Sequence, residues 1–419
     1  MTETTRGTAE RGLGRAPWLI RTQHVEGAPV VAVRFWLRGG ARLEAIPGQA
    51  LITGRMLSEG TRRRDWRRIA TDAESKGMIL SSFGYFEHYG LSIDALAKDW
   101  EQALDWAAEM VLEPSFPEDR SAWLARQAAA ELESLADQPD VKTAWGFLEQ
   151  LYTPHPRSRP LQGSVESLGK LTAADCAEHH RRSLRQGLLV SVAGVIDEDA
   201  VRKRLEGLLS GLPAEIEPLP EPPAPVGFRE KRHEVETGAE DQAHLYVGHR
   251  TVKRDHPDYA ALELLAVVLG AGSGLTGRIP ARIREKEGLA YTAQAQTVSG
   301  SGLDQGRLIA YVGTSPATVD QAERGVIEEI AKLVDEGITD QELDEARAYL
   351  LGREPFLRET ARQWADLLME AELYGLPLDR PAWRTAELTS PDRKTVEEAA
   401  RRHIDVAALQ VTVGYPEEE

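Results

Sequence analysis

A proline-rich segment divides this chain into two halves that repeat one order of predicted elements. Residues 211–228 read GLPAEIEPLPEPPAPVGF and hold six prolines with no helical or strand period, which is typical of a stiff, extended linker. In each half an alternating run leads into an amphipathic helix, at residues 91–112 and 307–334. The halves also close on similar apolar runs, at residues 187–194 and 408–414. An offset of about 220 residues is too long for a solenoid repeat, so the sequence predicts a duplicated domain.

The alternation of strands and helices predicts the fold class. Strands that alternate with helices of about 12 to 20 residues form sheets that are covered by helices. We therefore predict an α+β fold built of α/β layers, in which two homologous domains each hold a mixed β-sheet covered by helices on one side. The predicted boundaries are residues 17–210 for the first domain, 211–228 for the linker and 229–416 for the second domain.

Composition and charge exclude several classes of fold and of binding partner. The 419 residues, 42% of them hydrophobic, suffice for two cores. A net charge of -17 argues against nucleic acid, because a duplex binder needs a basic surface. The single cysteine, Cys176, excludes a disulfide framework and a Cys-rich metal site. Residues 1–17 are polar and no run of about 18 apolar residues follows, so we expect a cytoplasmic protein that does not contact membranes.

The common catalytic motifs are missing from the sequence. No G-x-S-x-G elbow occurs, and the ten histidines form neither H-E-x-x-H nor H-x-x-E-H. The adjacent His179 and His180 fall on different sides of a predicted helix, and we expect both at the surface. The sequence therefore offers no complete active site of its own.

One segment of the first half nevertheless resembles a metallopeptidase pattern. Residues 39–61 read GGARLEAIPGQALITGRMLSEGT. This run is similar to the zinc-site region of the pitrilysin or insulinase class, the inverzincins, which includes chains like the mitochondrial processing peptidase. In that class H-x-x-E-H lies between a G-[ST]-R-x-E strand end and a G-T turn. The residues that match the strand end and the turn are Gly40, Arg42, Glu44, Gly60 and Thr61.

The resemblance implies that this chain has lost the zinc site. The first ligand position falls on Leu51, the catalytic base on Gly54 and the second ligand on Arg55. The third ligand position falls on Glu131. A zinc peptidase needs three ligands and a carboxylate base, which Leu51, Gly54 and Arg55 cannot supply. We expect no metal and no peptidase activity in this chain alone, and an ion pair between Arg55 and Glu131.

Two further segments extend the resemblance along the chain. Residues 155–172 read HPRSRPLQGSVESLGKLT, and residues 282–295 read RIREKEGLAYTAQA, similar to the R-x-K/R-x-G-L-x-Y of the class. The resemblance implies a LuxS/MPP-like metallohydrolase fold and a clamshell chamber built by two such chains. It assigns Arg284 and Tyr291 to binding the substrate carbonyl and to stabilising the oxyanion at the zinc of an opposing domain. Gly288 is predicted to end the helix of Arg284.

Three hypotheses follow for the function. The leading one is the non-catalytic subunit of a heterodimeric zinc metalloendopeptidase, whose homologous partner carries H-x-x-E-H and the zinc and which cleaves peptides. The second is a structural homologue without proteolysis, like the core proteins of respiratory complexes. The third is a degenerate homodimer that binds peptides without cutting them. Without the resemblance, Arg284 is typical of a solvated residue, Tyr291 of a packing residue and Glu131 of a residue that faces water.

Overall fold

The computed structural model describes residues 17–27, 29–212, 215–238, 241–272 and 277–416. Within these ranges two five-stranded mixed sheets are covered by helices, and the predicted fold class of two homologous layered domains is confirmed. Most of the polar N-terminal segment and part of the proline-rich segment lie outside the described residues.

The two sheets share one topology. The strands of the first sheet are β1 (Trp18–His24), β2 (Val30–Arg38), β3 (Ile79–Gly84), β4 (His88–Leu96) and β5 (Leu188–Gly194). Those of the second sheet are β6 (Arg232–Thr237), β7 (Ala243–Arg250), β8 (Ala290–Ser299), β9 (Arg307–Thr314) and β10 (Gln410–Pro416). The spatial orders are β1-β5-β2-β4-β3 and β6-β10-β7-β9-β8. In each sheet the first pair is parallel and the other pairs are antiparallel. The matching orders show the duplication directly.

Helices occupy the segments between the strands. In the first half they are α1 (Gln49–Met56), α2 (Trp66–Ser75), α3 (Trp100–Leu112), α4 (Glu118–Ala136), α5 (Pro139–Tyr152), α6 (Val165–Lys170), α7 (Ala173–Leu184) and α8 (Glu198–Leu209). In the second half they are α9 (Tyr259–Ala266), α10 (Arg278–Pro280), α11 (Val319–Glu336), α12 (Asp340–Arg353), α13 (Ala361–Tyr374), α14 (Arg380–Thr389) and α15 (Arg393–His403). A turn with π-helical hydrogen bonding, Ala281–Lys286, continues α10.

Strand alternation gives each sheet two apolar faces. In β2, Val31, Val33 and Phe35 pack with α2, α3 and α8 of the same half. Trp36 points to the opposite face and packs against Met369 of α13, which belongs to the other half. The second sheet has the reciprocal arrangement, because α5 of the first half packs against its β7, β6 and β10. Each half therefore covers one face of its own sheet, and an exchanged helix covers the other face.

The exchanged helices join the halves. The proline-rich segment is also attached to α5, since the backbone N–H groups of Val226 and Gly227 donate to the carbonyl of Thr153 at 2.8 and 2.9 Å. The predicted domain boundaries at residues 210 and 229 stay predictions, because the strands and their covering helices come from both sides of them.

The expectation for the adjacent histidines is wrong. His179 and His180 are both buried in α7. His180 contacts the Tyr89 hydroxyl at 2.9 Å through Nδ1 and the Val111 carbonyl at 2.8 Å through Nε2. Burial lowers the pKa of His180 to about 4, so the ring is neutral at physiological pH. Neutral imidazole can be buried when its nitrogens find partners, and helical spacing alone does not reveal such partners.

Candidate functional site

Helix α1 lies directly on strand β3. Gly48 begins the helix in the left-handed conformation with φ 90°. A Cβ atom on Gly54 would lie 2.1 Å from the carbonyl oxygen of Phe83, and one on Gly84 would lie 2.5 Å from the carbonyl oxygen of Ala50. Such distances are impossible for real Cβ atoms, so the two glycines permit the contact of the backbones. No carboxylate side chain fits at position 54 without separating the helix from the strand.

Arg55 and Glu131 form the ion pair that the sequence predicts. Nη2 of Arg55 lies 2.8 Å from Oε2 of Glu131, and Nη1 lies 3.2 Å from Oε1. The two side chains are 25% and 35% exposed. This is a bidentate pair between α1 and α4, and it is partly open to solvent. Glu131 therefore has a protein partner and does not simply face water.

The residues of this site do not fit a zinc ion. Leu51 is buried among apolar side chains of α4, α6 and α7 and has no ligand atom. Gly54 offers neither a ligand nor a base, and the Arg55 guanidinium is a permanent cation that is bonded to the one remaining carboxylate. Zinc in a catalytic site needs three nitrogen, sulfur or oxygen ligands. Of the four family positions, Glu131 alone can be a ligand.

One group of potential metal ligands exists elsewhere in the described residues. His256, Asp258 and His403 offer ligand atoms within 4.8 Å of one another. Asp258 is already bonded to His403 Nε2 at 2.7 Å and to the Arg402 guanidinium at 3.0 Å. His256 Nδ1 accepts the backbone N–H of Asp258 at 3.0 Å, which leaves its proton on Nε2. These hydrogen bonds and ion pairs connect the start of α9 to the end of α15.

Arg284 lies in the helical turn before β8, and Tyr291 is the second residue of β8. The turn Ala281–Lys286 ends before Gly288, whose φ of 63° is left-handed, as the sequence predicts. The Arg284 Cζ atom lies 5.3 Å from the centre of the Tyr291 ring, which is a cation–π contact. Tyr291 is 85% exposed. Across the described residues, neither the guanidinium nor the phenol hydroxyl has a hydrogen-bond or ion-pair partner.

The neighbouring arginine differs sharply from Arg284. Arg282 is bonded to Glu287 at 2.7 Å, to Glu328 at 2.6 Å and to Glu329 at 3.1 Å. The hydrogen bond with Glu287 raises the pKa of Arg282. Its charge is neutralised by the protein, whereas the donors of Arg284 have no partner in the part of the chain that the structure describes.

Other residues of the matched segments connect the two halves. Arg42 pairs with Asp304 of the β8–β9 turn, and His155 Nε2 lies 3.4 Å from the same carboxylate. Arg157 pairs with Glu87 at 2.6 Å. Burial would raise the pKa of Asp304, but the bonds from His155 and Arg42 lower it well below its usual range. Sequence reasoning missed this network because Glu87 and Asp304 lie outside the matched motifs.

Comparison with known proteins identifies the family. The model of the insulinase family, peptidase family M16, matches residues 19–163, and the model of the peptidase M16 inactive domain matches residues 170–350. The chain belongs to the insulinase family M16. Its membership and the replaced ligand positions together make it an inactive member of this peptidase family.

The similar proteins carry contrasting descriptions. An uncharacterised zinc protease of Mycobacterium leprae is 28% identical, over 88% of this chain and 86% of the relative. The non-peptidase homolog YmxG of Helicobacter pylori is 24% identical, over 95% of this chain and 91% of the relative. The crystal structure of a peptidase M16 inactive domain from Pseudomonas fluorescens superposes with a TM-score of 0.87 at 22% identity and covers 97% of this chain and 98% of that one. The last comparison shows the fold alone.

No helix in the described ranges is long and apolar enough to cross a membrane. The cytoplasmic location stays a prediction.

Proposed function

We propose that this M16 chain is the non-catalytic subunit of a heterodimeric zinc metalloendopeptidase. A homologous partner chain would supply H-x-x-E-H and the zinc, and this chain would supply Arg284 and Tyr291 to a shared chamber that takes up peptides. The observation that carries the proposal is the contrast between the halves. The replaced zinc site is closed by the Arg55 ion pair, whereas Arg284 and Tyr291 are accessible and have no polar partner in the described residues.

The chemistry of the pair fits a substrate carbonyl. Arg284 offers guanidinium N–H donors and a positive charge, and Tyr291 offers a phenol O–H donor. Donors directed at a carbonyl oxygen stabilise the negative charge that it gains when a tetrahedral intermediate forms. One such donor typically contributes about 3 to 4 kcal/mol to the transition state. The cation–π contact keeps the two groups side by side, so both could reach one oxygen atom.

Reconstitution with a partner tests the proposal. A homologous chain with intact H-x-x-E-H is coexpressed with this chain, and the complex is assayed for zinc content and for cleavage of a fluorogenic peptide. We expect one zinc per heterodimer, and activity that neither chain shows alone. Arg284→Ala should lower cleavage without loss of assembly.

A matched control is available on α12. Arg353 lies 5.4 Å from the Tyr349 ring, so it forms a second surface pair of the same type. Arg353→Ala should leave cleavage unchanged. If the two chains do not associate, or if the partner is fully active alone, the structural or peptide-binding alternative replaces this proposal. Stoichiometric zinc in this chain alone would also contradict it.

A further inference from the structure

A large cavity lies between the first sheet and the exchanged helix α13. Its volume is about 700 Å³, which is in the range of pockets that bind small molecules. Strands β2, β3 and β4 form one wall, and α13 and the Gly300–Ser301 turn form the other. The cavity contains none of the degenerate zinc positions and neither Arg284 nor Tyr291. It is therefore distinct from the site of the proposed function.

Aromatic rings form much of the wall. Trp36 and His88 stack with ring centres 4.0 Å apart and an interplanar angle of 14°. Phe83 and Tyr85 continue this surface at a centroid distance of 5.3 Å. Burial lowers the pKa of His88 to about 3, so its ring is neutral and adds no positive charge to the cavity. Neutral aromatic faces attract cations.

The charged groups of the cavity are paired with one exception. Arg34 bonds to Asp94 at 2.9 Å and to Asp366 at 2.6 Å. Arg362 bonds to Asp94 at 2.6 Å. With the Arg157–Glu87 pair included, three guanidinium groups balance three carboxylates. The fourth carboxylate of the lining, Glu370, is not paired with any of these three arginines.

Glu370 has no hydrogen-bond or ion-pair partner in the described part of the chain. The nearby Arg254 and Arg380 pair instead with Glu387 at 3.7 Å and Glu354 at 3.3 Å. The surrounding protein raises the pKa of Glu370 by desolvation. Glu370 is nevertheless exposed to solvent along the cavity, and an unpaired carboxylate in this position attracts a cation that enters the cavity.

We propose that this cavity binds an organic cation, a guanidinium or ammonium group on an apolar stem, with Glu370 as its counter-ion and the Trp36–His88 stack and Tyr85 as its aromatic wall. The volume admits a ligand of the size of an arginine derivative, and the unbalanced negative charge favours a cation over an anion. The same chemistry is present in a free guanidine or amine and in the basic side chain of a peptide.

Calorimetric titration of the purified chain tests the assignment. Arginine amide is the cationic probe, and citrulline amide is its neutral counterpart of nearly equal shape. We expect arginine amide to bind at least about tenfold more tightly than citrulline amide, because a charge-assisted hydrogen bond contributes about 1.5 to 3 kcal/mol. Glu370→Gln should remove most of this preference. Tyr85→Leu should weaken binding about two- to fivefold.

Controls separate binding from folding and identify the source of the cation. Glu359→Gln, at an exposed carboxylate just before α13, should leave binding unchanged. Glu370→Gln should unfold at the same temperature as the wild type, since Glu370 makes no bond in the described structure. A blocked hexapeptide with one arginine that binds more tightly than agmatine would assign the site to peptides, and the reverse order would assign it to free guanidines. Equal binding of arginine amide to wild type and Glu370→Gln, or no binding at millimolar concentration, overturns the proposal.

Discussion

Arg55 of the first half and Arg284 of the second half both lie at positions that the family pattern marks, and the two arginines differ in their contacts. Arg55 lies on a helix that contacts β3 through glycine, and it is bonded to Glu131 through both terminal nitrogens. Arg284 lies before a glycine turn and contacts an exposed tyrosine ring, and it has no hydrogen-bond or ion-pair partner among the described residues. The guanidinium of the first half is used inside the protein. That of the second half has no polar partner within the described ranges.

This difference shows that the first site is closed by packing as well as by chemistry. Leu51, Gly54 and Arg55 supply no ligand, and the backbone contact of Gly54 with Phe83 also leaves no space for the side chain of a base. The second site needs no such closure, because free donors at a solvent-exposed turn cost little free energy. Predictions about the first site therefore concern the stability of the fold, and predictions about the second site concern catalysis in the proposed complex.

The largest expected effect concerns the second half. In the reconstituted complex, Arg284→Ala and Tyr291→Phe should each lower turnover about 10²- to 10³-fold, because each removes a donor to the developing oxyanion. The loss should appear in kcat as well as in KM, since an oxyanion contact strengthens in the transition state. Steady-state kinetics with a fluorogenic peptide measures both constants. A rise in KM alone would show that the pair merely lines the chamber.

Gly54→Ala tests the closure of the first half. The new Cβ atom would overlap the Phe83 carbonyl, whose oxygen lies 2.1 Å from its position. Overpacking of this kind costs about 2 to 3 kcal/mol of the free energy of unfolding, which a urea titration measures. Gly207→Ala in α8 is the matched control, because nothing lies within 4 Å of its Cβ position. It should be neutral or stabilise the chain by up to about 1 kcal/mol. Equal stability of the two variants would refute the closure.

The Asp304→Asn variant tests whether the buried network around Asp304 contributes more to the free energy of unfolding than the partly exposed Arg55 pair does. Asp304 and Arg42 are 10% and 3% exposed, so removal of the charge should cost about 2 kcal/mol at pH 7. The folded pKa of Asp304 lies below the unfolded value. Its contribution is therefore complete above about pH 4 and is lost as the pH falls through the folded pKa. The difference between wild type and variant should shrink in urea titrations at lower pH. A difference that grows would contradict this assignment.

The sequence predicted the layered fold because a duplicated order of periodic segments leaves few architectures open. It also placed Arg55 next to Glu131 and Gly288 at the end of the helix of Arg284, since both rest on local or family spacing. It did not reveal which sheet an amphipathic helix would cover. The exchange of α5 and α13 depends on tertiary packing between segments that are far apart in the chain. The apolar stripe of an amphipathic helix shows that the helix is covered on one side, but it does not show which sheet covers it.

The burial of His179 and His180 could not be predicted from the sequence for a related reason. His180 is buried as a neutral ring that contacts the Tyr89 hydroxyl and the Val111 carbonyl, and His179 packs against the Tyr89 ring at a centroid distance of 5.4 Å. These partners come from distant segments. The cavity beside α13 was equally hidden, because Glu370 and Trp36 lie in different halves. Residues matched to a family motif could be located in advance, whereas contacts across the halves could not.

The smallest effect is expected for the Arg55 pair itself. Arg55→Ala should cost about 1 kcal/mol or less, because both partners are partly solvated and such pairs contribute little. Arg204→Ala is the matched control, since Arg204 and Asp105 join α8 and α3 at 2.5 Å with side chains that are 39% and 33% exposed. The two variants should lose similar free energies of unfolding in urea. Arg55→Ala should also remain free of zinc by elemental analysis, because Leu51 and Gly54 still supply no ligand. A loss above about 3 kcal/mol would place Arg55 among the buried, structure-determining charges and remove the distinction between it and the Asp304 network.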